Sequence, residues 1–294
     1  MRYHFEQSLS KLTPNIALSS CGIKILLPFL SIILFLTGCT SHGTRQRVAD
    51  KISSKNGFET HIVKGGQFWL RTYQKIKNPN LPFVFYIEGD GFAFKNKYTI
   101  SDDPTPKNSM ILRLAGMDYR SNVVYIARPC QYLEAGTMEH CDSIYWTKKR
   151  LAPEVIDGMN EAITSISKGQ PINLIGYSGG GGVAVLIADR NKKVRSVVTI
   201  AGLLDHRLFN QQHHTKPMIG SLNPIDVAYK LRNLPQLHLS GGKDVIVRPS
   251  IANEYVLAAS SSCVRQEIIP HVSHDKDWEK EWKDILYIPV TCEK

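Results

Sequence analysis

The chain has 294 residues, 43% hydrophobic and 21% charged, with a formal net charge of +10. Those proportions exclude disordered, collagen-like and coiled-coil classes and leave a globular protein of one large or two small domains. No repeat of fixed period, low-complexity tract or basic run with interleaved aromatics is present, so nucleic acid is not an expected partner.

Residues 1–38 read as a targeting segment. A polar lead carrying Arg2, Lys11 and Lys24 precedes the apolar run 25–36, ILLPFLSIILFL. That run falls short of the roughly 20 residues a bilayer span needs and fits the apolar region of a secretory signal peptide. It ends in Leu36-Thr37-Gly38-Cys39, which resembles the lipobox of bacterial lipoproteins. The resemblance implies cleavage before Cys39, lipid attachment to that residue and a domain held at the bacterial cell envelope. With Thr40 and Ser41 rather than Asp after the cysteine, it implies the outer membrane, facing the periplasm. Without residues 1–38 the net charge is +8, which suits either anionic head groups or a solvated surface.

Residues 39–58 are polar and lack periodicity, and read as a lipidated tether; residues 59–294 read as one domain. In chain order, 60–63 and 67–74 are two short strands around a Gly-Gly turn. The apolar runs 82–87, 122–126, 172–175, 194–200, 236–239 and 266–269 each end in Gly, Pro or a polar turn, as buried parallel strands do. Helices are expected at 153–167, 180–190 and 276–286, the last with Trp278, Trp282 and Ile285 on one face. Strands alternating with helices predict an α/β domain with a mostly parallel central sheet. Cys130, Cys141, Cys263 and Cys292 form an even set in an exported chain. Four cysteines allow three pairings. Nearest-in-chain pairing, Cys130–Cys141 and Cys263–Cys292, is expected, with free buried thiols as the alternative.

The chemistry lies in the strand-to-helix turns. Gly176-Tyr177-Ser178-Gly179-Gly180 follows an apolar strand and opens an apolar helix, the context in which a GxSxG turn presents a nucleophilic serine. The alternative, a glycine-rich turn binding phosphate, lacks the GxxxxGK[ST] or GxGxxG spacing. A serine hydroxyl needs a base, and the base an orienting acid. Asp244 and His274 follow successive later strands. Asp205 is a second candidate acid and His271 a second candidate base, and His271, His274 and Asp275 together raise a metal site that the sequence does not otherwise support.

In this order and spacing, residues 60–290 resemble the α/β-hydrolase family. The resemblance implies Ser178 as nucleophile, His274 as general base and then acid, and Asp244 as the group fixing the imidazole. It puts one oxyanion donor at the N–H of Gly179. The other falls in Glu88-Gly89-Asp90-Gly91-Phe92, at the N–H of Asp90 with Gly91 assisting. Glu88 departs from the family by standing where His is usual, and an acid beside a forming oxyanion needs a basic partner, for which Arg128 is the candidate. Residues 202–234 have room for a short helix or flap but no large cap domain. Phe92, Phe94, Tyr177 and Leu203 are candidate walls of an acyl pocket. The expected function is a membrane-tethered serine hydrolase, without metal or cofactor, acting on a small-molecule ester or a lipid through an acyl-enzyme. The alternatives are a peptidase or thioesterase with the same triad, and a non-catalytic envelope lipoprotein that uses the scaffold for binding. Oligomeric state is not encoded in these patterns.

Overall fold

A computed structural model describes residues 42–292; residues 1–38, expected as a signal segment, and Cys39 lie outside the described residues. In chain order the elements are α1 His42–Lys55, β1 Glu59–Gly65, β2 Phe68–Ile76, β3 Phe83–Ile87, α2 Met110–Met117, β4 Asn122–Ile126, α3 Pro153–Ser167, β5 Ile172–Tyr177, α4 Gly179–Ala188, β6 Val194–Ile200, α5 His206–His213, β7 Gln236–Gly241, α6 Pro249–Ala259, β8 Val264–Ile269 and α7 Trp278–Ile285.

The eight strands form one sheet in the order β1-β2-β4-β3-β5-β6-β7-β8. The pairs β1/β2 and β2/β4 are antiparallel and all others parallel. Strand side chains alternate between faces, so Phe83, Phe85 and Ile87 of β3 pack against α3 and α4, while Val84 and Tyr86 face α2 and α7. Both faces are covered, which is why β3 and β4 read as unbroken apolar runs. The sheet order turns about β3, which lies between β4 and β5. The loops that leave the carboxyl ends of β3 and β5 therefore flank a crevice at the place where ligands bind in open α/β sheets.

Each predicted strand is present, and α3, α4 and α7 occupy the expected stretches. On α7, Trp278, Trp282 and Ile285 recur at helical spacing and are buried against the sheet. Both expected disulfides are present, Cys130–Cys141 and Cys263–Cys292. The segment 202–234 holds the short helix α5 and a single 3-10 turn, and no large cap is evident among the described residues.

The tether expectation is corrected. Residues 42–55 form α1, which docks on the domain through polar contacts. Arg45 pairs with Asp103, Asp50 accepts from the Tyr73 hydroxyl at 2.9 Å, and Ala49 and Ser53 are buried. With only Ala49 and Ile52 of this helix packed on the apolar core, its face carries too short an apolar period to detect.

Candidate active site

Ser178 stands between β5 and α4 at φ 52° and ψ −120°, a left-handed conformation that a non-glycine residue adopts at a cost. The turn closes only because its neighbours lack side chains. A Cβ on Gly176 would overlap the carbonyl of Gly180, and a Cβ on Gly180 would overlap the carbonyls of Ile87 and Glu88. The strain lifts the hydroxyl above the carboxyl edge of the sheet.

His274 meets Ser178 from the loop after β8, with Nε2 3.1 Å from Oγ. Its Nδ1 lies 2.8 Å from Oδ2 of Asp244. The Asp244 side chain is 0% exposed, and its Oδ1 accepts the backbone N–H groups of Ile246 and Val247 at 2.8 Å each. Those bonds leave Oδ2 for the imidazole. With the Nδ1 proton directed at the carboxylate, Nε2 is free to accept from Ser178. Trp278, buried at the start of α7, donates from Nε1 to the carbonyl of His274 at 3.0 Å, and the imidazole packs beside the ring of Tyr177. The loop is thus fixed from two sides.

The rival residues lie elsewhere. Asp205 caps α5, accepting from the Arg207 N–H and from Asn223. His271 is half exposed and pairs with Glu281 at 3.0 Å.

The loop after β3 runs beside Ser178: a Cβ on Gly89 would lie 3.2 Å from the Cβ of Ser178. Glu88 is buried, with Oε2 accepting from the Tyr125 hydroxyl at 2.8 Å and Oε1 accepting the N–H of Gly89 at 2.9 Å. Burial pushes its pKa up to about 7 against the pull of those bonds and of Arg113 and Arg128. The carboxylate of Asp90 is held by Arg150 at 2.7 Å and Arg128 at 3.4 Å. Arg128 thus takes its expected place. Arg150 was not foreseen, because it follows an irregular stretch with no motif around it.

These residues line a cavity of about 510 Å³ that includes Ser178, His274, Glu88, Asp90 and Gly91. Phe92, Phe94, Tyr177 and Leu203 are in its wall as expected, joined by Phe209 from α5 and Ile246 from the loop after Asp244. The last two escaped sequence reading because an apolar residue on a short polar helix or in a turn carries no periodic signal.

No protein-family model and no curated protein sequence matches the chain. Solved structures do. The esterase Pf2001 of Pyrococcus furiosus superposes with a TM-score of 0.56 at 13% identity, over 79% of this chain and 92% of that one. Est1E of Butyrivibrio proteoclasticus gives 0.55 at 10% identity, over 77% and 95%. An acylaminoacyl peptidase of Pyrococcus horikoshii gives 0.56 at 11%, over 81% of this chain and 42% of that one. The protein has the α/β-hydrolase fold.

Proposed function

We propose that the protein is a serine hydrolase that cleaves carboxylic esters, carried at the bacterial envelope by a lipid on Cys39. One observation carries the catalytic reading: the hydroxyl of a conformationally strained serine lies 3.1 Å from an imidazole whose other nitrogen is 2.8 Å from a buried carboxylate. In the proposed reaction Ser178 Oγ attacks the ester carbonyl while His274 Nε2 takes the hydroxyl proton, and Asp244 stabilises the imidazolium. The tetrahedral oxyanion accepts hydrogen bonds from the N–H groups of Gly179 and Asp90, with Gly91 assisting the loop. His274 gives its proton to the departing alcohol, leaving an acyl group on Ser178. A water deprotonated by the same nitrogen then attacks that acyl carbonyl, releasing the acid and restoring the serine.

Asp90 does not oppose this chemistry, because two guanidinium groups outweigh its single negative charge. The choice of ester rests on the compact cavity walled by Phe92, Phe94, Leu203 and Phe209, and on the esterases among the structural neighbours. The lipid anchor rests on the motif Leu36-Thr37-Gly38-Cys39. A panel of p-nitrophenyl acyl esters, thioesters and peptide p-nitroanilides tests the reaction class with the detergent-purified protein. Turnover of esters above the other two, lost in Ser178→Ala, is the expected result; preference for the anilides would move the assignment to peptidase. Metabolic labelling with a palmitate analogue, lost in Cys39→Ser, tests the anchor.

A further inference from the structure

The charges around Asp90 do not balance. Arg128 and Arg150 share this one carboxylate, and their side chains are 4% and 13% exposed. Buried ions are ordinarily matched by counter-ions, and this cluster is one negative charge short. Glu88 only partly offsets them: it forms no ion pair with either guanidinium, its oxygens accepting from Tyr125 and Gly89, and burial raises its pKa to about 7. The shortage also appears at single atoms. Arg128 donates to the carbonyl of Arg150 and to Asp90, yet its buried Nε has no partner. Arg150 donates from Nε to the Thr147 carbonyl at 2.7 Å and from Nη1 to Asp90, while its Nη2 makes no hydrogen bond among the described residues.

Arg150 belongs to the wall of the Ser178 cavity. A second cation, Lys107, belongs to the same wall. It is exposed, its Nζ sits 3.5 Å from the centre of the Phe92 ring, and it forms no ion pair among the described residues. The remaining carboxylate of the wall, Asp275, is exposed and pairs with neither cation. The distance to the chemistry is short. The Asp90 carboxylate that Arg150 grips sits against Gly179, so closely that a Cβ there would overlap it.

Taking the hydrolase reading as its basis, we propose that Arg150 and Lys107 form an anion subsite, and that the substrate is an ester carrying a carboxylate or phosphate within a few bonds of the scissile carbonyl. The anion completes the charge balance of the Arg128–Asp90–Arg150 cluster. The guanidinium of Arg150 supplies a directional donor and Lys107 a mobile charge at the mouth. The apolar walls take the intervening methylenes.

Binding and turnover test the subsite separately. In Ser178→Ala, which needs no catalysis, monomethyl glutarate is expected to bind at least about tenfold more tightly than dimethyl glutarate, with an affinity that falls as salt is raised. Lys107→Gln, an exposed change that leaves the fold intact, should cut that ratio severalfold, and Arg150→Lys, which keeps charge but loses the planar fork, should cut it further. In wild type, p-nitrophenyl hemiglutarate against p-nitrophenyl butyrate places the anion in the acyl part. The butyrate ester of 4-hydroxybenzoate against that of its methyl ester places it in the alcohol part. Equal or weaker binding of the anionic ligand overturns the subsite, even if neutral esters are hydrolysed. Selective binding with no ester hydrolysed refutes the hydrolase reading and leaves the subsite standing.

Discussion

Gln131 donates from Nε2 to the carbonyl of Gly89 at 3.0 Å, while its Oε1 accepts the N–H of Arg128 at the same distance. The carbonyl and N–H of a trans peptide point in opposite directions, so pinning the Gly89 carbonyl also fixes the N–H of Asp90. The N–H of Gly89 is already committed to Glu88. In the proposed reaction Asp90 is the oxyanion donor of this loop, which makes buried Gln131 its positioning residue. Gln131→Met should lower kcat on an ester about ten- to a hundredfold with KM changed only a few-fold, since a donor lost outright costs about a hundred- to a thousandfold. Steady-state kinetics beside a thermal melt check this; unchanged kcat in a folded variant would show that Gln131 does not position the donor.

The two histidines of the loop after β8 have separable roles. His274→Ala removes the group that touches Ser178 and should lower kcat/KM by about a thousandfold or more. His271 pairs with Glu281 at the surface, so His271→Ala should change kcat/KM less than about threefold. Kinetics on the two variants decide between them, and the reverse ranking would overturn the assignment of the base.

Glu88 gives stability a pH dependence of definite sign. Its folded pKa, raised by burial to about 7, exceeds the ordinary carboxylate value, so the folded state binds the proton more tightly than the unfolded chain. Stability from this group is present in full below the unfolded pKa and is lost as pH rises through about 7. Glu88→Gln keeps a side chain that the Tyr125 hydroxyl can bond and cannot ionise. Its stability relative to wild type should rise between pH 5 and pH 8, by up to about 3 kcal/mol for a shift of this size. Urea melts across that range test it, and a difference independent of pH would contradict it.

The two disulfides should differ in what they support. Cys130–Cys141 adjoins Gln131 and Arg128, the residues that hold the Asp90 loop, and Cys130 packs with Ala93 and Trp146 behind that loop. Cys263–Cys292 ties the C-terminal segment to the turn before β8, and Arg265 of β8 also donates to the Pro289 carbonyl. Replacing either pair with Ala should cost about 2–4 kcal/mol of stability. Removing the first should also lower kcat, whereas removing the second should leave kcat of the folded protein within about twofold. Equal effects on kcat would show that the first bridge does not reach the loop.

Much of this was legible in the sequence because two kinds of local signal are strong. Buried strands announce themselves as short apolar runs, which is why 122–126 and 194–200 match β4 and β6 residue for residue. A serine turn between strand and helix forces glycine at fixed positions, which marked Ser178. The order of later turns then brought out Asp244 and His274. What escaped is held by polar contacts between residues distant in the chain. Arg150 is 60 residues from Asp90 and Gln131 is 42 from Gly89, and neither lies in a periodic segment. Helix α1 gives a weak signal for a related reason, its docked face mixing Arg45, Asp50 and Ser53 with only Ala49 and Ile52 rather than forming an apolar stripe. Helix α2 was missed because Met110–Met117 is short and nearly continuous in apolar residues, which hides its helical period.

The proposed reaction requires Ser178 to be an activated nucleophile. Treating the full-length protein in detergent with a fluorophosphonate and locating the adduct by peptide mass spectrometry tests it most directly. One phosphonylated residue, Ser178, is expected, with labelling lost in Ser178→Ala and strongly slowed in His274→Ala. A folded wild-type protein that resists the probe, or an adduct on another serine that persists in Ser178→Ala, would contradict it.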